Sequence, residues 1–324
     1  MTTLFLATAG GHLQQLDALA ARIPSECQAL WVTDDNEQSR SLLRDREVVF
    51  VPFVGVRDVT RVARCLPTAH RLWRERGITR VISTGSGIAL GYLPYLAARG
   101  VSCHYIESAT RVTGPSLTGR VLQRTPRIHR YAQYRGWTGP RWRYGGSVFD
   151  GFAAGPARAR TDGPIRVVVT VGTDQDMGFG RLIERLVPLI APDGDLAMST
   201  GCPVEVLWQT GCTPTGHLPI SPVPFLPAVR LQAALSEADI VVSHAGTGSS
   251  LAALSAGRFP ILASRSPRYG ETVDGHQVEL GNELHRRGLA LHREAHRVTV
   301  EDLHLGLGTA TRRLSDPPTF ELAS

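Results

Sequence analysis

The stretch from Ile240 to Gly257, I-V-V-S-H-A-G-T-G-S-S-L-A-A-L-S-A-G, constrains the fold of this chain more than any other. Ile240, Val241 and Val242 form an uninterrupted apolar run, the pattern of a strand buried on both faces. Ser243 to Ser250 is a polar loop with two glycines, and Leu251 to Ala256 reads as a helix of small residues closed by Gly257. A strand feeding a helix through one tight turn is a unit of a parallel sheet. The start of such a helix has backbone N–H groups without intrahelical partners and carries the positive end of the macrodipole. Glycines let the backbone approach an anion and hydroxyls add donors, so the loop reads as a phosphate cradle. It also reads as an ordinary turn, in which Gly246 and Gly248 serve backbone geometry and Ser249 is an N-cap. The stretch alone does not choose between the two.

The same rhythm runs through the whole chain of 324 residues, which is long enough for two ordinary domains. In the first half, strands are expected at Leu4 to Ala7, Ala29 to Val32, Val48 to Val51, Arg80 to Ile82, Ser102 to Ile106 and Ile128 to Gln133. Helices are expected after Gly10-Gly11-His12, over Val59 to Arg76 with an arginine-rich outer face, and after Ser83-Thr84-Gly85-Ser86-Gly87. Gly151 to Pro164 has the Gly, Pro and Ala content of a linker, which sets the expected domains at 1–150 and 165–324. In the second half, strands are expected at Ile165 to Val171, Val204 to Trp208, Val223 to Leu226, Ile240 to Val242, Pro260 to Ala263 and Ala290 to His292. Helices are expected at Leu182 to Ile190, Val229 to Ser236, His276 to Arg287 and Thr299 to Leu314. The expectation is α/β, with two doubly wound, Rossmann-like domains facing a cleft at the carboxyl ends of both sheets.

Composition removes several classes of function. At 42% hydrophobic and 20% charged residues the chain has the composition of a soluble globular protein. No apolar run approaches the roughly 18 residues that span a bilayer, and the N-terminal residues lack a basic leader, so a cytoplasmic location is expected. The five cysteines are far apart, with no C-x-x-C pair, which suggests neither a zinc site nor a disulfide framework. All 35 Lys-plus-Arg residues are arginine, with a net charge of +6. The absence of lysine excludes a lysine-dependent P-loop and Schiff-base chemistry. The arginines concentrate between Arg57 and Arg80 and between Arg111 and Arg143, where they suit a phosphorylated substrate or an anionic membrane. Aromatic-rich RNA motifs are missing, so nucleic acid is not an expected partner.

Four turns fall at the carboxyl ends of expected strands: Gly10-Gly11-His12, Thr84 to Gly87, Gly172-Thr173 and His244 to Ser250. None is a dinucleotide fingerprint, and no G-x-x-x-x-G-K-[ST] occurs. His12 begins a helix, whose dipole favours the neutral imidazole that a general base needs. On position alone, the reading as a capping or loop-satisfying residue is favoured. His276-Gln277-x-Glu279 opens a helix where side chains reach sugar or ribose hydroxyls, or where they form a solvated face. Asp34-Asp35-Asn36-Glu37 lacks EF-hand spacing and reads as a polar loop.

With these residues in place, the second half resembles the family-28 glycosyltransferase C-terminal domain, in the form of the catalytic subunit of the two-subunit UDP-GlcNAc transferase of dolichol-linked oligosaccharide synthesis. The similarity rests on V-T-V-G-T (Val169 to Thr173), Phe179 with Leu182, S-H-A-G-T-G-S (Ser243 to Ser249) and H-Q-x-E (His276 to Glu279). The first half resembles the partner subunit of that enzyme through G-G-H (Gly10 to His12), S-T-G (Ser83 to Gly85), I-E-S (Ile106 to Ser108), Arg111, S-L-T-G (Ser116 to Gly119) and Gln133. Bacterial exopolysaccharide clusters encode similar pairs, and the architecture also looks like the GT-B peptidoglycan GlcNAc transferase.

The resemblance implies an inverting transferase that uses a UDP-sugar as donor substrate and needs no cofactor or bound metal. The donor would sit on Gly172, Thr173, His244, Gly246, Thr247, Gly248, Ser249 and Ser250, with His276, Gln277 and Glu279 toward the sugar or ribose. The acceptor side would be Gly10, Gly11, Thr84, Gly85, Glu107 and Arg111, with His12 as base. The chain departs from the resemblance in two ways: it has no membrane helix in its first half, and Ala252 stands where the family has a ribose-contacting Glu. The acceptor expected is a polyprenyl-diphosphate-linked sugar, reached by peripheral contact with the inner face of an anionic membrane. A soluble metabolite is the competing acceptor. A UDP-sugar 2-epimerase-like enzyme and a non-catalytic binding partner are the readings from other classes.

Overall fold

The computed structural model describes residues 2–24, 27–55, 58–156, 162–172 and 177–323. Arg57, Thr173 and part of the expected linker (157–161) lie outside the described residues. The chain forms two compact units, one of residues 1–150 with 317–324 and one of residues 151–316.

The first unit runs β1 (Thr2–Ala7), α1 (Gly11–Ala20), β2 (Gln28–Asp34), α2 (Glu37–Leu42), β3 (Val48–Val51), α3 (Val59–Arg64), α4 (Leu66–Arg76), β4 (Ile78–Gly85), α5 (Gly87–Ala97), β5 (Ser102–Ile106), α6 (Leu117–Leu122), β6 (Ile128–Ala132) and β7 (Arg143–Tyr144). Its seven strands pair in parallel in the order β3-β2-β1-β4-β5-β6-β7. The second unit runs β8 (Phe152–Gly155), β9 (Ile165–Thr170), α7 (Gly180–Ile190), α8 (Asp195–Thr200), β10 (Val204–Gln209), β11 (Pro222–Val223), α9 (Ala228–Glu237), β12 (Ile240–His244), α10 (Thr247–Ser255), β13 (Ile261–Ser264), α11 (His276–Arg286), β14 (Leu291–Glu294), α12 (Val300–Gly308) and β15 (Ala310–Arg313). Its main sheet has the order β11-β10-β9-β12-β13-β14, again all parallel.

Both sheets are therefore wound outward from one central pair of strands, β1/β4 in the first and β9/β12 in the second. Alternation along β9 and β12 shows how each face is covered. Val167, Val169, Ile240 and Val242 enter one cluster with Leu182, Ile183 and Leu186 of α7 and Leu303 of α12. Val168 and Val241 enter the other, with Leu235 of α9 and Ala253 of α10. Helices α7 and α10 thus leave neighbouring strands onto opposite faces, and the crevice that opens between their starts is where doubly wound folds take ligands.

Several sequence expectations are corrected. The helix expected over Val59 to Arg76 breaks at Cys65, because Pro67 has no N–H for an interior turn and fits only the first turn of α4. The stretch from Asp34 to Glu37 is more than a loop: Asn36 caps α2 in a reciprocal capping box, and the Asp34 carboxylate accepts the Ala9 N–H at 2.7 Å. The opening of the expected linker is strand β8, paired antiparallel with β15. The final helix stops at Gly308, so β15 replaces its expected last turns. Helix α8 was not anticipated, and β11 is shorter than expected.

Residues 317–324 return to the first unit. Phe320 is fully buried there, with its ring edge-on to Tyr131 at 5.8 Å and against Gly145, where a Cβ would lie 2.8 Å from the ring. Arg22 holds the segment by donating to Pro318 O (2.8 Å) and to Ser147 O (2.7 Å). Phe320→Ala is expected to lower the stability of the first unit by about 3–5 kcal/mol. Denaturant unfolding read from that unit's tryptophans checks this; a loss below about 1 kcal/mol would mean that the segment is not part of the core.

Candidate active site

Helix α10 starts at Thr247, four residues before the sequence pattern places it, so Thr247, Gly248, Ser249 and Ser250 form its first turn. Gly246 is the N-cap, and among the described residues no side chain caps the helix. Ser249 is therefore inside the helix and not at its cap. Ser250 N–H closes the first turn onto Gly246 O at 2.9 Å, which leaves the N–H groups of Thr247, Gly248 and Ser249 without intrahelical acceptors. Two side chains of this turn are also unsatisfied. Thr247 Oγ1 and Ser250 Oγ are buried and have no hydrogen-bond partner among the described residues. An unmet buried hydroxyl costs about 1–3 kcal/mol, so this turn is held in a form that favours an incoming acceptor.

His244 explains both glycines that flank it. Its ring lies where a Cβ on Gly246 would come within 2.3 Å of Nε2, and a Cβ on Gly172 within 2.7 Å of Cε1. Gly172 also has φ +86°, which L side chains rarely adopt. The imidazole is thus a wedge that joins the turn after β9 to the turn after β12. It hydrogen-bonds to the Thr170 backbone, and its Nδ1 lies 3.4 Å from Ser249 Oγ. Burial, with Arg265 and His276 nearby, pushes its pKa from 6.5 down to about 3. A neutral imidazole brings no charge to a phosphate, so His244 shapes the cradle and leaves attraction to other groups.

Arg265 and Gln277 complete this edge. Gln277, at the start of α11, is buried and accepts the Arg265 N–H on Oε1 at 3.0 Å. Its observed bond thus supports the strand end. Arg265 donates from Nη2 to Val171 O at 2.7 Å, with its guanidinium 5.8 Å from the Phe179 ring. His276 pairs through Nδ1 with Asp274, and Glu279 is half-buried one turn into α11. The loop before α11 is anchored by Glu271, which takes Arg181 at 2.8 and 2.7 Å and the Ser266 N–H at 3.0 Å.

In the first unit, Gly10 (φ +91°) is the N-cap of α1, with Gly11 and His12 as its first residues. His12 Nδ1 lies 2.7 Å from Thr84 O, and Thr84 Oγ1 donates back to His12 O at 2.7 Å. A carbonyl accepts only, so Nδ1 carries the proton and the ring's lone pair is on Nε2. Gly85, at the end of β4, lies against this ring. The two expected acceptor-side turns are thus brought together at the β1/β4 pair, as the two donor-side turns are at β9/β12.

Glu107 is placed differently. It is fully buried, accepting Tyr105 OH (3.1 Å) and Ser108 N–H (3.0 Å) on Oε1, and the N–H and Oγ of Ser116 (2.9 and 3.0 Å) on Oε2. Burial still pushes its pKa up. Gln15 and Gln133 extend this network: Gln133 Nε2 donates to Glu107 O (2.9 Å), and Gln15 Oε1 accepts the Ala109 N–H (2.7 Å). The motif residues Glu107, Ser108, Ser116 and Gln133 therefore tie the loop after β5 to α1 and α6. Arg111 is half-buried on that loop, with its carbonyl accepting Trp137 Nε1–H at 3.1 Å. Sequence reading missed Arg265 and Gln15, because an isolated Arg or Gln carries no spacing signal.

Two doubly wound α/β units, each with glycine turns at its central strand pair, form the GT-B architecture. Solved structures with this fold include MurG of Acinetobacter baumannii (TM-score 0.57, 18% identical, covering 94% of this chain and 89% of that one) and the glycosyltransferase SnogD from Streptomyces nogalater (TM-score 0.59, 17% identical, covering 95% and 91%). Residues 166–308, within the second unit, match the glycosyltransferase family 28 C-terminal domain. A segment of 53 residues is 43% identical to the UDP-N-acetylglucosamine transferase subunit ALG13 of Yarrowia lipolytica. It makes up 16% of this chain and spans a quarter (25%) of that subunit's length.

The wedge has a consequence for pH. Two histidines of the second unit, His244 and His292, are pushed down to about 3 and about 4. Unfolded, both titrate near 6.5, so below that pH the unfolded chain binds more protons and stability falls. Each contributes up to about 1.4 kcal/mol per pH unit, over a window that begins at about pH 6.5. Denaturant unfolding at pH 7.5, 6 and 5 is expected to show this decline, with a shallower slope for His244→Gln. An unchanged slope would show that the wedge is not held neutral.

Proposed function

We propose that this chain is an inverting UDP-sugar glycosyltransferase, using UDP-GlcNAc or a related hexose or uronic-acid donor, that acts on a polyprenyl-diphosphate-linked acceptor in polysaccharide synthesis. The observation that carries this reading is the first turn of α10, where Thr247 Oγ1 and Ser250 Oγ are buried without partners among the described residues, in a unit that matches the family 28 domain. The donor diphosphate is placed on the N–H groups of Thr247, Gly248 and Ser249, beside Gly172. His276 and Glu279 are placed toward the sugar or ribose.

The acceptor hydroxyl gives its proton to His12 Nε2, and its oxygen bonds to the anomeric carbon opposite the UDP. The anomeric C–O bond breaks, and its electron pair leaves on the β-phosphate. The helix dipole and the orphan N–H groups stabilise that developing charge without need of a metal. The Thr84 carbonyl fixes the imidazole tautomer for this role. Gly10, Gly11, Gly85 and the Arg111 loop complete the acceptor side.

The lipid character of the acceptor is supported by the surface of the first unit. Phe53, Val59, Leu66, Leu117 and Val121 are exposed beside Arg61, Arg64, Arg120 and Arg124. The helices among these, α3, α4 and α6, all pack on α5. An apolar and arginine-rich surface of this kind suits the face of an anionic bilayer. Among the described residues no helix is long and apolar enough to cross a membrane, so the contact proposed is peripheral.

Gly248→Asp places a carboxylate in the cradle and is expected to weaken UDP binding at least about tenfold. Unchanged affinity in calorimetry would remove the donor assignment. His12→Ala is expected to lower turnover about 10²- to 10⁴-fold while UDP affinity holds; equal loss of both would exclude the base role. Turnover is expected to survive EDTA. Flotation with anionic vesicles at low salt tests the lipid reading, and turnover on soluble acceptors without vesicle binding would replace it. Conversion of the UDP-sugar with no acceptor present would indicate epimerisation.

A further inference from the structure

The α10 turn is placed under a diphosphate, while Gln277, the α11 side chain that the motif directs at a sugar, accepts the Arg265 N–H instead. A hexose beyond the diphosphate needs a further contact, and the loop between β13 and α11 offers one. Its first residues close on themselves. Ser266 is the N-cap of a short 3₁₀ turn, Pro267–Tyr269, and its Oγ accepts the Arg268 N–H at 3.3 Å. Tyr269 N–H donates to Ser266 O and Gly270 N–H to Pro267 O, both at 3.1 Å. Glu271 returns to the Ser266 N–H at 3.0 Å. The Tyr269 ring lies over Arg181, whose Cζ is 3.8 Å from the ring centroid. Both oxygens of the buried Glu271 carboxylate grip that guanidinium, so the support beneath the ring is fixed.

Tyr269 is nevertheless 53% exposed. A single exposed apolar side chain is ordinary, but most are free to turn in water. Here the backbone is closed in a turn and the ring rests on a fixed cation, so its ordering precedes any binding. Arg268 is 5.8 Å from the ring centroid, beyond contact distance. The ring also belongs to the edge of the cradle. Arg181 is in the first turn of α7 and Phe179 is the N-cap of that helix. The Phe179 ring is 6.0 Å from the Arg181 guanidinium and 5.8 Å from that of Arg265, which reaches Val171 O next to Gly172. We infer that Tyr269 is a stacking platform for a hexopyranose ring at the edge of the donor cradle. A pyranose carries its hydroxyls around the rim and presents C–H groups on a ring face, which leave water on meeting an aromatic face. Tyrosine gives such a contact a large, rigid surface at small entropic cost. The inference rests on the UDP-sugar reading in placing the hexose of a nucleoside-diphosphate donor there; a sugar of the acceptor has the same chemistry.

The test is calorimetry on the full chain with UDP, with UDP-GlcNAc, UDP-glucose and UDP-glucuronic acid, and with chitobiose as a free glycan. The unaltered protein is expected to bind one of the UDP-hexoses more tightly than UDP, or to bind chitobiose; neither result overturns the inference. Tyr269→Ala is expected to lower the affinity for that sugar-bearing ligand about three- to tenfold, with UDP affinity changed less than about twofold. Loss confined to the UDP-hexose assigns the platform to the donor's sugar, and loss confined to chitobiose assigns it to the acceptor's. Equal loss for UDP and UDP-hexose is what a merely structural role would give, and it overturns the inference, as does unchanged affinity for every sugar. Tyr269→Phe keeps the ring and is expected to stay within about twofold of the unaltered protein; a loss as large as that of the alanine variant also overturns it. Tyr269→Leu, which keeps apolar bulk without a flat face, replaces the alanine variant if thermal unfolding shows that one to be unfolded. If the unaltered protein does not bind UDP, the UDP-sugar reading fails and chitobiose alone decides the platform. If it binds UDP and Tyr269→Ala alters no sugar-bearing ligand, only the platform falls.

Discussion

A parallel sheet wound outward from one strand pair cannot close its own carboxyl edge. The helices that follow β9 and β12 lie on opposite faces, and the gap between their starts is bridged by side chains of the segment after β13, Arg265 to Val171 O and Glu271 to Arg181. Both helix starts then face a space in which backbone N–H groups have no internal acceptor. The second unit manages this with glycine and a wedge: the His244 ring occupies the volume that side chains at 172 and 246 would need, and it locks two turns into one surface. Donor binding, as proposed, is the completion of hydrogen bonding that this winding leaves open.

The same constraint acts in the first unit with a different solution. There the two turns at β1/β4 are joined by His12, Thr84 and Gly85 through reciprocal bonds between side chain and backbone. The imidazole is held by one nitrogen and defined in tautomer, an arrangement suited to proton transfer. In the second unit the imidazole is half-buried and held neutral. The two histidines, His12 in the first turn of α1 and His244 at the end of β12, thus differ in character because one is fixed by a carbonyl and the other is wedged between glycines.

Much of this was legible in the sequence. The β-branched runs at Ile165 and Ile240 mark the buried strands, and glycine-rich turns after them mark the carboxyl edges. Strand order was not legible, since periodicity says which segments are strands and nothing about which ones pair. The position of Arg265 across β12 follows only from pairing. Boundaries failed where local chemistry was ambiguous: Thr247 to Ser250 is polar enough to read as loop, yet polar residues are tolerated in a first helical turn. Glu107 and Gln277 illustrate a further limit. Both stand in motif positions that suggest contact with substrate, and both spend their observed hydrogen bonds on neighbouring backbone N–H groups and, for Glu107, hydroxyls.

The segment around Phe320 carries a consequence for biogenesis. Arg22 and Pro318 are bonded although 296 positions separate them. At about 5–20 residues per second, roughly 15 to 60 s of translation lie between the two. Throughout that interval the nascent first unit has a vacant aromatic slot beside Tyr131 and Gly145, while the second unit is completed. The first unit thus receives its last core residue only after the whole of the second unit has been made.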